Sequence, residues 1–239
     1  MYETICSQIN LQINLVYRRC NTLIYCMYRD EMIVITVSTK YHDVLEVIIP
    51  QNHRFFTCCY IITHPNDKDT IHVVEKFQGI HTENTIVLVY YDFYADNRIF
   101  NKGGAIRHVQ INQLKDYNGP VLLLDSDIYL PDNFDTIMKS FQIDINTLYG
   151  VRRHDFHTFK HFTENRISEI YRYFFVGYFQ LYHHNGSQFL YTDSRDASVC
   201  DDKFMRLFRN KILIKDLTVK HLGKKNVNWQ GRKKMDFFP

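Results

Sequence analysis

Two carboxylates one residue apart, Asp125 and Asp127, are the residues best suited to chemistry in this chain. In an extended segment, side chains at i and i+2 point the same way, so both can face one spot. Two hard oxygen donors there suit Mg2+ or Mn2+, above all where phosphate oxygens complete the shell. The same pair also fits a strand ending in an Asx-type turn, in which the carboxylates cap backbone groups. An apolar run, Val121 to Leu124, leads into the pair, and Pro131 sits where a following helix can begin. Such a run reads as a strand buried on both faces of a parallel sheet. Open α/β sheets place ligands at the carboxyl ends of such strands.

Three further groups could serve the same site. Asn101-Lys102-Gly103-Gly104 opens a predicted helix over 105–116, where free amides and a lysine favour an anion. Asp201 and Asp202 precede a predicted helix carrying Phe204, Leu207 and Phe208. His221 follows a predicted strand over 212–219, and a neutral imidazole can complete a metal shell. Each also has a plain structural reading: a loop-to-helix junction, acids favoured by a helix dipole, a surface histidine.

The elements that must position these groups alternate. Met32 to Val37 reads as the first buried strand, with Ser38 and Thr39 as cap candidates for a helix ending before Pro50. Phe55 to Ile62 is a second strand, closed by the turn-rich Thr63 to Asp67. Strands follow over 70–76 and 85–91, then Asn118-Gly119-Pro120 as a tight turn, a helix after Pro131, a strand over 148–151 and an aromatic strand from Phe174 to Tyr182. Arg152, Arg153, His154, His157, His161 and Glu164 concentrate in one segment, without zinc spacing. Alternating strands and helices predict an α/β protein with a mostly parallel sheet. Residues 1–30 read as an N-terminal extension, in which Ile9, Leu11, Ile13 and Leu15 alternate with polar residues; residues 31–239 read as one domain.

Composition is that of a folded globular chain, 45% apolar and 23% charged over 239 residues. The net charge of +3 fits an anionic substrate and is too small to argue for nucleic acid. The six cysteines show no CxxC pattern. Neither a signal peptide nor an 18-residue apolar span is present, so a cytoplasmic protein, or one peripheral to a membrane, is expected.

Taken in order, Val34-Ile-Thr-Val-Ser38, Ile61 to Thr70, Phe100 to Ile106, Leu122 to Ile128, Gly177-Tyr-Phe-Gln-Leu181, Ala197 to Phe204, Val219-Lys-His-Leu-Gly223 and Asn228 to Arg232 resemble GT-A nucleotide-sugar glycosyltransferases, particularly the family 2-like enzymes. The resemblance covers roughly residues 32–232. It implies a Rossmann-like GT-A fold and a metal-dependent, inverting transfer of sugar from a UDP- or GDP-sugar to a hydroxyl of a glycan or other acceptor. Asp125, Asp127 and His221 would hold Mn2+ or Mg2+; Thr36, Ser38, Asp67, Lys102, Asp125 and Ser126 would bind the donor. Gly177, Tyr178, Phe179 and Gln180 would face the acceptor. Asp201 stands at the acid of the A-S-x-x-D-x-x-F pattern, but Val199 replaces a frequent acid and Asp202 adds one, so the general base is either Asp201 or Asp202. Two other readings use the same residues: a catalytically silent sugar- or nucleotide-binding module, and a nucleotidyltransferase. The latter should carry a Gly-rich loop after the first strand, where this chain has Ser38-Thr39-Lys40-Tyr41.

Overall fold

The computed structural model describes residues 32–78, 84–224, 228, 230–232 and 237. The chain divides into Met1–Glu31 and Met32–Pro239, and all described residues belong to the second unit; the expected extension lies outside them. Strands β1 (Ile33–Val37), β2 (Cys58–Thr63), β3 (Thr85–Tyr90) and β4 (Asn118–Leu124) are linked by helices α1 (His42–Asn52), α2 (Lys68–Gln78) and α3 (Lys102–Asn112). There follow β5 (Ile128–Tyr129), α4 (Phe134–Lys139), β6 (Thr147–Phe156), α5 (Phe159–Thr163), β7 (Glu169–Tyr171), β8 (Phe179–Asn185), α6 (Cys200–Met205) and β9 (Asn210–Leu222).

The strands form one sheet in the order β3-β2-β1-β4-β8-β6-β9-β5, with β7 on β6. The first four run parallel, as crossover helices require. Beyond β4 the sheet is mixed. β8 is antiparallel to β4 and β6, β6 and β9 are parallel, and β5 and β7 pair antiparallel at their positions. The expectation of a mostly parallel sheet therefore holds for one half only, because strand direction is set by non-local connections. Val121 and Leu123 pack with Ile33 and Ile35 on one face, and Leu122 and Leu124 with Val34 on the other. Burial on both faces explains the unbroken apolar run of β4. No described helix is long and apolar enough to cross a membrane.

Several local expectations are corrected. Residues 70–76 are not a strand but the body of α2. Thr70, Val73, Val74 and Phe77 are buried at helical spacing, and Asp67 accepts the Thr70 amide at 3.3 Å. Neither Ser38 nor Thr39 caps α1; the cap position is Tyr41, after Lys40 at φ 62°. Pro50 lies inside α1, where its missing amide falls near the helix end and the chain tightens into a 3-10 turn over His53–Phe55. Asn118-Gly119-Pro120 is strand, not turn, and the aromatic strand begins at Phe179 rather than Phe174.

Candidate active site

The end of β4 opens into a cleft of about 230 Å3 bordered by Asp125, Ser126, Asp127, Lys102, Asp201 and His221, among others. Ser126 Oγ donates to the Val37 carbonyl at 2.5 Å, tying the turn after β4 to the end of β1. The Asp127 carbonyl accepts the Leu222 amide at 2.8 Å, and β5 pairs Ile128 with His221. That register brings His221 Nε2 to 3.4 Å from Asp127 Oδ2. Tyr41 donates to the same oxygen at 3.4 Å and accepts from Asn228 at 2.9 Å.

On the other side, Lys102 begins α3, whose cap residue Asn101 accepts the Gly104 amide at 2.9 Å. Lys102 Nζ lies 2.8 Å from Asp125 Oδ1 and 3.3 Å from Asp201 Oδ1. At this helix start Lys102 borders the cleft, while Gly103 is packed against the protein. A Cβ on Gly103 would stand 2.1 Å from the Thr192 carbonyl, so the close approach is made by the protein itself. Gly177 has a similar reason to be glycine: a Cβ there would stand 1.9 Å from Asp201 Oδ2.

The two candidate bases now differ. Asp201 is held by Lys102 and by the Tyr191 hydroxyl, 3.0 Å away. Asp202 borders the cleft too, but it is half-buried and pairs with Arg206 at 2.8 Å on the helix surface. Of the four residues expected to face an acceptor, Gly177 and Tyr178 border the cleft. Phe179 and Gln180 have no exposed surface. Phe179 belongs to the core, and Gln180 donates to the Phe175 and Asp201 carbonyls and accepts from Tyr191. Their place on a strand buried on both faces leaves them a supporting role. Thr36 and Ser38 are buried near the end of β1, and Asp67 accepts from the Lys40 and Thr70 amides on the rim of a separate cleft with His64 and Tyr94.

Sequence reading missed Tyr41, Tyr191 and, most of all, Asp155. Arg153 appeared only within a basic segment of undefined role. In the structure Arg153 Nε is 2.7 Å from Asp155 Oδ1, and His221 Nδ1 is 3.1 Å from the same oxygen. The guanidinium sits 3.9 Å from the Tyr171 ring centre and 4.7 Å from that of Tyr178. The available signal was the i, i+2 spacing of Arg153 and Asp155 on one strand face. Among the described residues, Asp155, His157 and Glu169 also lie within 4.8 Å of one another, but Asp155 is already engaged by Arg153 and His221.

Electrostatics follow from this packing. Burial raises the Asp125 carboxyl, to about 6, against the lowering pull of Lys102; Asp127 and Asp201 add to the rise. Burial also works to raise Asp127, but His221 outweighs it and holds that carboxyl below its usual value. Burial works to lower His221, yet Asp127 and Asp155 together lift it to about 9. Its folded value thus exceeds the ordinary 6.5, so its contribution to metal-free stability is complete below pH 6.5 and lost as pH rises through 9. The expected result is that the stability gap between wild type and His221→Gln, measured by urea denaturation with EDTA, is widest near pH 6 and narrows steadily toward pH 9. A gap constant over that range would refute the charged His221.

Asp127 and His221 fit a divalent cation. Two donors each about 2.1 Å from a metal, at tetrahedral or octahedral angles, stand roughly 3.0–3.4 Å apart. The observed 3.4 Å meets that span without rearrangement. Asp125 faces Lys102 instead and would have to turn to join them.

No family model and no curated protein matches the chain. Among solved structures, a mannosyltransferase from Pyrobaculum calidifontis in complex with GDP-Man and Mn2+ aligns over 83% of this chain and 59% of its own, at 15% identity and TM-score 0.52. HddC from Yersinia pseudotuberculosis aligns over 82% and 95%, at 10% identity and TM-score 0.42. The chain is a mixed α/β protein whose fold is similar to that of a nucleotide-sugar transferase. It spans less than two thirds of that mannosyltransferase.

Proposed function

We propose that this protein is a metal-dependent glycosyltransferase of the GT-A class. It moves a sugar from a nucleoside diphosphate donor to an acceptor hydroxyl, with inversion. The observation that carries the reading is the 3.4 Å approach of Asp127 and His221 across β5 and β9 at the carboxyl end of β4, with Asp201 bordering the same cleft. Asp127 and His221 hold the metal, Mn2+ or Mg2+, and Asp125 joins them or contacts the donor. When bound, the metal stabilises negative charge on the leaving diphosphate. Asp201 accepts the acceptor's proton as its oxygen attacks the anomeric carbon. Lys102 lies where it can exchange its carboxylate partners for donor phosphate. Gly177 and Tyr178 border the acceptor side, and a UDP- or GDP-sugar is the donor.

The test is an assay of purified protein with UDP- and GDP-sugars and Mn2+, with products resolved. Release of a nucleoside diphosphate supports glycosyl transfer, whereas pyrophosphate release identifies a nucleotidyltransferase. Binding without turnover identifies a silent module. The base is assigned by comparison: Asp201→Asn is expected to lose at least about a hundredfold in kcat, the scale of general-base catalysis, and Asp202→Asn to lose less than about threefold. Equal turnover in both variants and wild type would remove the base from this pair.

A further inference from the structure

We propose that Asp155 is the positioning residue of the metal site, fixing His221 in the tautomer that presents Nε2 to the cation, with Arg153 neutralising it from behind. The inference rests on the reading of Asp127 and His221 as metal ligands. Three observations carry it.

First, the two ring nitrogens of His221 have different partners. Nε2 faces Asp127 at 3.4 Å and Nδ1 faces Asp155 at 3.1 Å. Ionised carboxylates only accept, so the metal-free imidazolium donates from both nitrogens; a cation held by Asp127 would displace the Nε2 proton, while Nδ1 keeps the hydrogen that Asp155 accepts. A neutral imidazole then has its free lone pair on Nε2, the nitrogen turned to the cleft. The opposite tautomer would set a lone pair against the Asp155 oxygen and an N–H against the cation.

Second, Asp155 has no exposed surface, so its charge needs a partner inside the protein. Arg153 supplies one that cannot be titrated away, at 2.7 Å and flanked by the Tyr171 and Tyr178 rings. Third, the pairing is built into the sheet: β6 and β9 place Asp155 opposite His221 in parallel register. A purely structural Arg153–Asp155 pair would need nothing from His221.

Metal-binding histidines that lose such a carboxylate partner typically lose 10–100-fold in metal affinity. The experiment uses 15N-histidine-labelled protein and Zn2+ as a diamagnetic probe, with His221 signals assigned through His221→Gln. In wild type, Zn2+ is expected to shift Nε2 of His221 to a metal-bound value while Nδ1 keeps its hydrogen. Asp155→Asn is expected to bind Zn2+ about 10–100-fold more weakly in calorimetry, beyond any change in melting temperature. Loss of the Nδ1 hydrogen on metal binding, or Zn2+ affinity within twofold of wild type in Asp155→Asn, overturns the role of Asp155 and leaves the metal site standing. Zn2+ that shifts His157 and not His221 overturns the metal reading and the role of Asp155 together. Should Asp155→Asn not fold, the wild-type spectra decide alone.

Discussion

In Asp127→Asn, sugar transfer with Mn2+ is expected to fall by about a thousandfold or more, while the fold is retained. A metal at the leaving diphosphate contributes several kcal/mol to the transition state, and each 1.36 kcal/mol is tenfold in rate. The substitution removes the anionic ligand but keeps the side-chain volume. His221 retains Asp155, so native stability should drop by only about 1–2 kcal/mol, the usual cost of one hydrogen-bonded partner. Initial rates of nucleoside diphosphate release and urea melts on the same preparation separate the two effects. Wild-type turnover in Asp127→Asn would take the metal out of the mechanism, and EDTA should reproduce the loss in wild type.

Lys102→Met is the second large effect, and it acts on stability as well as rate. Lys102 is nearly buried and joins two acids from different elements, Asp125 after β4 and Asp201 on α6. Its ammonium is held charged because those carboxylates outweigh the burial that would lower it. Removing it leaves two close anions with no counter-charge. The expected cost is about 3 kcal/mol at pH 8, the low end for breaking a buried pair, since the Asp125 side chain keeps 36% of its surface exposed. Asp125 titrates at about 6 even with Lys102 present and will titrate higher without it. The deficit should therefore shrink as pH falls from 8 to 5 and be largely cancelled by adding Asp125→Asn. Urea denaturation across that range measures it, and a deficit that grows on acidification would contradict the assignment.

The parts of this site legible in the sequence were those with a local signature. Val121 to Leu124 announced a buried strand because both its faces are covered, and Asp125-Ser126-Asp127 announced its end. His221 was legible only as a histidine at a strand terminus; its approach to Asp127 depends on β5–β9 pairing, which no local pattern encodes. Asp155 was lost altogether, because its partners lie on the same strand two residues away and on another strand 66 positions later. The segment 70–76 failed for a different reason. Thr70, Ile71, Val73 and Val74 are β-branched and favour strands by composition, yet their burial recurs at three and four residues, and Asp67 supplies the helix start. Period should have outweighed propensity there.

Strand β9 gains three residues on β6 between the pairs Gly150–Leu213 and Arg152–Thr218. The gain is odd, so the side-chain alternation changes phase. Ile214 and Leu217, three apart, are buried within the slip, and Val219 and His221 are buried after it. The place of the imidazole thus depends on the irregularity as well as on the ladder beyond it. If a residue were deleted at 215 or 216 and the strand beyond followed by one place, Leu222 would replace His221 opposite Asp155 and the imidazole would turn to the other side of the sheet. A chain one residue shorter could keep the sheet and still lose the approach of His221 to Asp127.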